Sequence, residues 1–282
     1  MTIASVSRSQ RRAQLARSLT FWVGGMMTLI WIVFAIFGDF VTPYDPQGTP
    51  TDILNRLAPP SSEHLMGTDS LGRDVLSRLL AGARQVLIIA PLATLIGTIA
   101  GTALGLTTGY FGGWVDEIAS RILDAFLSIP LIITAMLVLA ALGPTTAGVI
   151  LVIGLVFTPI IARTVRASTL SEARLDYVTA AKLRGEGPLH IMFIEILPNV
   201  MGPIIVEFTV RLGYAIFTTL ALSFLGFGGD PSVPDWGQSI SDHYVFLSGD
   251  VWWPTLFPAL AIASLVVGVN LLADAIAQVF ET

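Results

Sequence analysis

Long apolar runs separated by shorter polar stretches organise this chain. Residues 19–37 carry no charge and are long enough to cross a bilayer as a helix, which takes about 20 residues. Further apolar runs cover residues 86–110, 126–142, 147–162, 200–227 and 254–273, so the pattern predicts six spans. Two polar stretches between them carry helix punctuation. Residues 176–199 read DYVTAAKLRGEGPLHIMFIEILPN. Asp176 suits the N-cap of a short helix over 177–184, and Gly185 suits the left-handed position that ends it. Pro188 restarts a second helix running to about Leu197, and Pro198-Asn199 marks the entry to the fifth span. Ala180 and Ala181 present little side chain, so a partner groove can close on that face. A connector lying on the lipid is the alternative; it would show a wider apolar face with Lys/Arg opposite, and here that face is narrow and interrupted.

Residues 64–84 read HLMGTDSLGRDVLSRLLAGAR. Thr68-Asp69 can cap a helix that begins near Ser70 or Leu71. Arg73 and Arg78 can pair with Asp69 and Asp74 at helical spacing. The expectation is an outer-face amphipathic helix leading into the second span, with pure scaffolding as the alternative. Just upstream, Pro43 and Pro46 forbid regular helix.

Composition agrees with the pattern. Of 282 residues, 54% are hydrophobic and only 12% charged, with mean hydropathy +0.76. A soluble domain has about 25% charged residues. The chain reads as an all-α, polytopic, single-domain membrane protein. Cysteine is absent, which excludes disulfides and thiol chemistry, and a net charge of −5 argues against nucleic-acid binding. Arg8, Arg11, Arg12 and Arg17 precede the first span without an acid among them, which puts residues 1–18 in the cytoplasm. The run that follows is too long for a signal-peptide core, and no small-residue cleavage site closes it. Six crossings return the C-terminus to the same side. The loop after span four, with Arg163, Arg166, Arg174, Lys182 and Arg184, then also faces inward. Outer loop 39–85 has its own arginines, offset by acids.

Lys182 is the only lysine and follows Ala181, so no phosphate-binding G-x-x-x-x-G-K-[ST] loop exists here. His64, His190 and His243 fall at no metal-ligand spacing, and no catalytic Ser/His/Asp or G-x-S-x-G pattern occurs. Gly97, Gly101, Gly105 and Gly109 form one ridge of small residues that lets two helices approach closely in lipid. Glu207 and Arg211, at i and i+4, fall about 12 and 18 Å in from the inner end of the fifth span, near mid-depth. They either pair with each other or line an aqueous route.

The Ala180-Ala181 pair, Gly185 and the LPN ending resemble the cytoplasmic "EAA" loop of ABC importer permeases. Residues 64–84 resemble the GTD-x-x-GRD-x-x-SR-x-x-x-GAR signature of the dipeptide, oligopeptide and nickel branch, in its second, C-type permease. Pro43-Tyr44-Asp45-Pro46, Tyr110–Asp116, Leu222–Gly226, Trp236-Gly237 and Asn270–Asp274 match the same outline. Thr179 departs from the usual Glu before the alanines, Thr219 from a Glu common near the end of span five, and Glu195 from a basic or polar residue. The resemblance implies a type I ABC importer permease fold over residues 19–282. It implies an ATPase-docking loop over 163–199, with Tyr177, Thr179, Ala180, Ala181, Gly185, His190, Pro198 and Asn199 as contact residues. It further implies an outer motif of Thr68, Asp69, Gly72, Arg73 and Asp74, and a route past Glu207 and Arg211. The glycine ridge then packs either within the subunit or against a second permease. No cofactor or metal is implied for this chain; ATP and Mg belong to partner ATPases. The implied partners are that second permease, two ATPase domains on one or two chains, an extracytoplasmic binding protein and the lipid bilayer of a bacterial inner membrane. Peptide is the implied cargo, with nickel or glutathione as relatives. A stand-alone secondary transporter or channel would show inverted repeats, which are absent, and an intramembrane enzyme would need a catalytic cluster.

Overall fold

A computed structural model describes residues 18–47, 55–230 and 232–281. The arginines at 8, 11, 12 and 17, Asp52 and Thr282 lie outside the described residues. Helix α1 is Leu19–Val41, capped by Ser18, whose hydroxyl accepts the Phe21 N–H. Helix α2 is Val75–Phe111, α3 Gly113–Leu127, α4 Leu131–Leu142 and α5 Thr146–Glu172. The short α6, Asp176–Leu183, precedes α7, a continuous helical run over Pro188–Phe227. Helix α8, Trp236–His243, and α9, Trp253–Glu281, complete the chain. Among the described residues no strand forms; Thr68 and Asp74 make an isolated bridge.

Five helices (α1, α2, α5, α7, α9) are long and apolar enough to cross a membrane. The bent pair α3 and α4 makes a sixth crossing if it is one span. This corrects the expected third span over 126–142: the chain turns by 85° between Leu127 and Leu131. Pro130 has no N–H to continue α3, so a new helix starts behind it.

Helices α2 and α5 form the centre of the bundle. Gly97, Gly101, Gly105 and Gly109 all face α5, where an added Cβ would meet Gly154, Ile161, Val165 and Thr169 respectively, within 3.0 Å of the nearest atom. Gly154 returns the contact against Ile96. The ridge is therefore used inside this subunit. Helices α1, α7 and α9 pack around this pair.

The end of the bundle where α1 finishes and α2 starts is capped by a knot of polar groups. Asp74 is the N-cap of α2, accepting from Ser77 N at 2.7 Å, so that helix starts at Val75 and not at Ser70 or Leu71. Asp69 is unavailable as a cap because its carboxylate accepts the Leu71 and Arg73 N–H groups and the Arg73 side chain at 2.7 Å. Arg78 reaches Asp69 at 3.9 Å, whereas Asp74 pairs with His64 at 2.9 Å. Gly72 takes φ +79° to close the turn. The Thr68 hydroxyl donates to the Asn55 carbonyl, and the Thr68 carbonyl accepts from Trp253 Nε1 at 3.0 Å. Trp253 is thus buried against this loop, whereas Trp252 beside it is exposed. His243 Nδ1 donates to the Ser239 carbonyl and Nε2 accepts from Ser70 N at 3.1 Å, tying α8 to the same knot. Trp236 is buried, with Nε1 donating to the Leu79 carbonyl and its ring 4.8 Å from that of Trp31.

Candidate functional site

The opposite end, where α2 and α5 finish and α7 begins, carries the docking-loop residues. Helix α6 starts one residue earlier than expected: Leu175 is the N-cap and Asp176 lies in the first turn, where its charge favours the helix dipole. It ends as a Schellman motif. Gly185 takes φ +77°, its N–H bonds the Lys182 carbonyl at 3.0 Å, and the Glu186 N–H bonds the Ala181 carbonyl at 3.2 Å. Pro188 then opens α7.

The expected break near Leu197 is absent, which corrects the helix-turn-helix reading at its second half. A π segment over Ile191–Ile196 widens the helix, and the Leu197 N–H reaches back to the Met192 carbonyl. That wide turn carries the helix past Pro198 without a break. Helix α7 is therefore continuous from Pro188 to the kink at Gly226.

The two alanines part company. Ala181 is fully buried and joins the core with Val178, Ile191, Met192 and Ile196; Ala180 and Thr179 face outward. Only one of the pair is thus free for a partner, contrary to the expectation for both. Leu183 is 84% exposed and Leu189 69%, on either side of the Gly185 turn, although both are large and apolar. Sequence reasoning missed them; two apolar residues flanking a polar turn were the available signal. An exposed apolar pair on a rigid turn is suited to burial by another protein.

Polar contacts lock α6 in place. Tyr177 Oη donates to Glu172 at 2.7 Å, and Asn199 Nδ2 donates to Tyr177 Oη at 3.1 Å and to the Glu195 carbonyl at 2.9 Å. Burial, with the Glu172 hydrogen bond, pushes the Tyr177 phenol up to about 12. Arg184 bridges Glu186 at 2.7 Å and Glu195 at 3.3 Å, and Lys182 Nζ sits 5.0 Å above the Tyr110 ring. Glu186, His190 and Glu195 offer donor atoms within 4.8 Å of one another, which is metal-ligand spacing. Arg184 bridges both carboxylates, so this set reads as an ion-pair network.

Glu207 and Arg211 bond each other at 2.9 Å, and Thr164 of α5 donates to Glu207 at 2.8 Å. Arg211 lies 5.3 Å from the centre of the exposed Tyr214 ring. Along α7, which kinks at Gly226 (φ +88°) just before its end, Glu207 lies at the midpoint, about 28 Å from Pro188 and about 30 Å from Phe227 at 1.5 Å per residue. Thr164 adjoins Arg163 and Arg166, which pair with Asp124 and Asp116 of α3. Thr164 thus joins the pair to the helix that also carries the Arg163–Asp124 and Arg166–Asp116 contacts. The arrangement brings the α6 residues together with His190, Pro198 and Asn199, and keeps Thr68–Asp74 at the other end.

Residues 101–282 match the family described as the binding-protein-dependent transport system inner membrane component, and residues 9–60 match the N-terminal TM domain of oligopeptide transport permease C. The di/tripeptide transport system permease protein DppC of Pseudomonas aeruginosa is 37% identical over 266 residues, covering 92% of this chain and 87% of that protein. The dipeptide transport system permease protein DppC of Escherichia coli is 40% identical over 265 residues, with the same coverage of 92% and 87%. A solved inward-facing structure of the MetNI methionine ABC transporter superposes with a TM-score of 0.57 at 19% identity, covering 72% of this chain and 96% of that one, a likeness that shows the fold. An all-helical ABC-importer fold, a membrane bundle without an ATP site, and these matches agree: the chain belongs to the inner-membrane permease components of binding-protein-dependent transport systems.

Proposed function

We propose that this chain is one of two permease subunits of a peptide importer in a bacterial inner membrane, driven by ATP hydrolysed on separate ATPase chains. Residues 1–18 and the docking loop 163–199 face the cytoplasm, and loop 39–85 faces out toward a substrate-binding protein. The arginines before α1 and those around α6 support this orientation. The observation that carries the reading is α6 itself. A helix with an exposed Thr179, Ala180 and Leu183 is fixed by Tyr177 and Asn199 to the foot of an unbroken helix through the membrane. A motor gripping α6 moves α7 with it.

Peptide cargo is supported by the names of the relatives and by the Glu207–Arg211 pair. Glu207 can take the ammonium end and Arg211 the carboxylate end of a zwitterion, each exchanging its present partner for the substrate's opposite charge. A charged pair on a spanning helix is costly against lipid, so this face of α7 turns toward the route or the second subunit.

The test uses the reconstituted complex. Gly185→Val places a β-branched residue at φ +77°, and is expected to leave the subunits assembled while abolishing substrate-stimulated ATP hydrolysis. Normal coupling in that variant refutes the docking role. Glu207→Gln and Arg211→Gln are expected to alter peptide range or transport rate; wild-type behaviour in both leaves only a structural ion pair.

A further inference from the structure

Two cavities share a wall at the end of the bundle remote from α6. The first, about 270 Å³, is mixed; Asp39, Gln47, Arg84, Gln85 and Thr146 share its walls with Pro46, Ala81, Ile88, Val233 and Pro234. The second, about 460 Å³, is apolar. It runs between α1, α2, α7 and α9, past Ile36, Ile32 and Thr28 on one side and Leu87 and Pro91 on the other. Arg84 and Ile88 line both, so the two lie side by side, a charged head beside an apolar tail.

Its dimensions follow the bilayer. Thr28 lies about 20 Å and Ile36 about 8 Å along α1 from the helix end at Val41. One leaflet of hydrocarbon is about 15 Å thick, half of the full core. The apolar part therefore spans the depth of an acyl chain in a single leaflet, and Arg84 stands at its boundary with water. Ile32 and Ile36 are exposed, which leaves the tail open sideways toward lipid.

The charged head carries a specific set of groups. Arg84 Nη1 bonds Asp39 Oδ2 at 3.2 Å, and both side chains are more than half exposed, which leaves them free to take other partners. Gln85 is only 9% exposed. Its Nε2 donates to the Gly228 carbonyl at 2.7 Å, while its Oε1 is buried and receives no hydrogen bond from the protein. The Oε1 has no surface open to the cavity, so the head presents a cation and an anion side by side.

We propose that these adjoining cavities bind one phosphatidylethanolamine molecule from the outer leaflet. An acyl chain lies along Ile36, Ile32 and Leu87. The phosphate accepts from Arg84, and the ammonium donates to Asp39. A choline headgroup has no N–H for Asp39, and a glycerol headgroup has no positive charge for it. The amine lipid therefore satisfies both charged groups at once.

The experiment uses the complete importer, purified in mild detergent after exposure to equal amounts of phosphatidylethanolamine, phosphatidylcholine and phosphatidylglycerol, with retained lipid identified by native mass spectrometry. The wild type is expected to hold phosphatidylethanolamine above the other two. Arg84→Gln is expected to lower that retention about tenfold, the effect of one charge-assisted hydrogen bond. Asp39→Asn is expected to erase the preference between ethanolamine and choline lipid, and Ala35→Leu, which narrows the tail, to lower retention of every lipid. Equal retention of the three lipids by the wild type, or no change in Arg84→Gln and Ala35→Leu, overturns the proposal. So does a photocrosslinker at position 36 that captures a protein subunit in place of lipid.

Discussion

Alanine at position 105 tests the packing that holds the bundle together. The new methyl carbon would lie 2.6 Å from Val165 Cβ, 2.8 Å from the Ala162 carbonyl oxygen and 2.9 Å from Arg166 N. Ordinary contact begins at 3.4 Å, so α5 must retreat by the difference, about 0.8 Å. Two of the three obstructing atoms are backbone, so no side-chain rotation relieves the overlap. Overpacking of this kind costs about 1–3 kcal/mol. Alanine returns about 0.5–1 kcal/mol over glycine in a helix interior, which leaves a net loss of up to about 2.5 kcal/mol. Gly25 in α1 supplies the control, because its added Cβ would meet only Leu272 Cδ2 at 3.7 Å. Thermal unfolding of both purified variants in one detergent, followed by tryptophan fluorescence, separates them. Gly105→Ala is expected to melt below wild type and Gly25→Ala at or above it. A Gly105→Ala protein as stable as Gly25→Ala refutes the close α2–α5 approach.

Two further outcomes concern the capped end. Trp253→Phe removes the indole N–H from the Thr68 carbonyl and leaves a buried acceptor unpaired, a loss of about 1–2 kcal/mol; hydrogen exchange across residues 64–74 should speed up while that of α5 does not. Asp235, the N-cap of α8, has its carboxyl held above the usual range by burial, although Ser223 and backbone N–H groups oppose the shift. A folded pKa above the unfolded one contributes stability at low pH that is lost as pH rises from about 4 through the raised value. Asp235→Asn keeps an acceptor for the cap, so stability measured across pH should lose that decline; an unchanged profile contradicts it.

Much of the fold was legible because lipid imposes long apolar runs, and five of the six expected spans correspond to single helices. The third did not. Helix α3 carries Asp116, Glu117, Arg121 and Asp124, so its polar positions read as loop. Arg163 and Arg166 on α5, far away in sequence, are what pair Asp124 and Asp116. The join at Pro198 was misread because Pro198 reads as a helix start, and the π segment that carries α7 past it leaves no hydrophobic signature. At the docking turn, Gly185 and Pro188 announced themselves through backbone chemistry. The division of Ala180 from Ala181 depends on which face α7 covers, and Leu183 and Leu189 look like core until their exposure is known. His243 and Trp236 act through partners more than 150 residues distant, which no local pattern encodes.

The most direct measurement exploits a chain with no cysteine of its own. Single cysteines at Thr179, Ala180 and Ala181 can be crosslinked in the assembled complex and, separately, probed in whole cells with a membrane-impermeant thiol reagent. The account predicts crosslinks from positions 179 and 180 to the ATPase, little from the buried position 181, and no labelling from outside. Labelling of positions 179 and 180 from the outer surface, or their failure to reach the ATPase in a complex that still hydrolyses ATP, would contradict it.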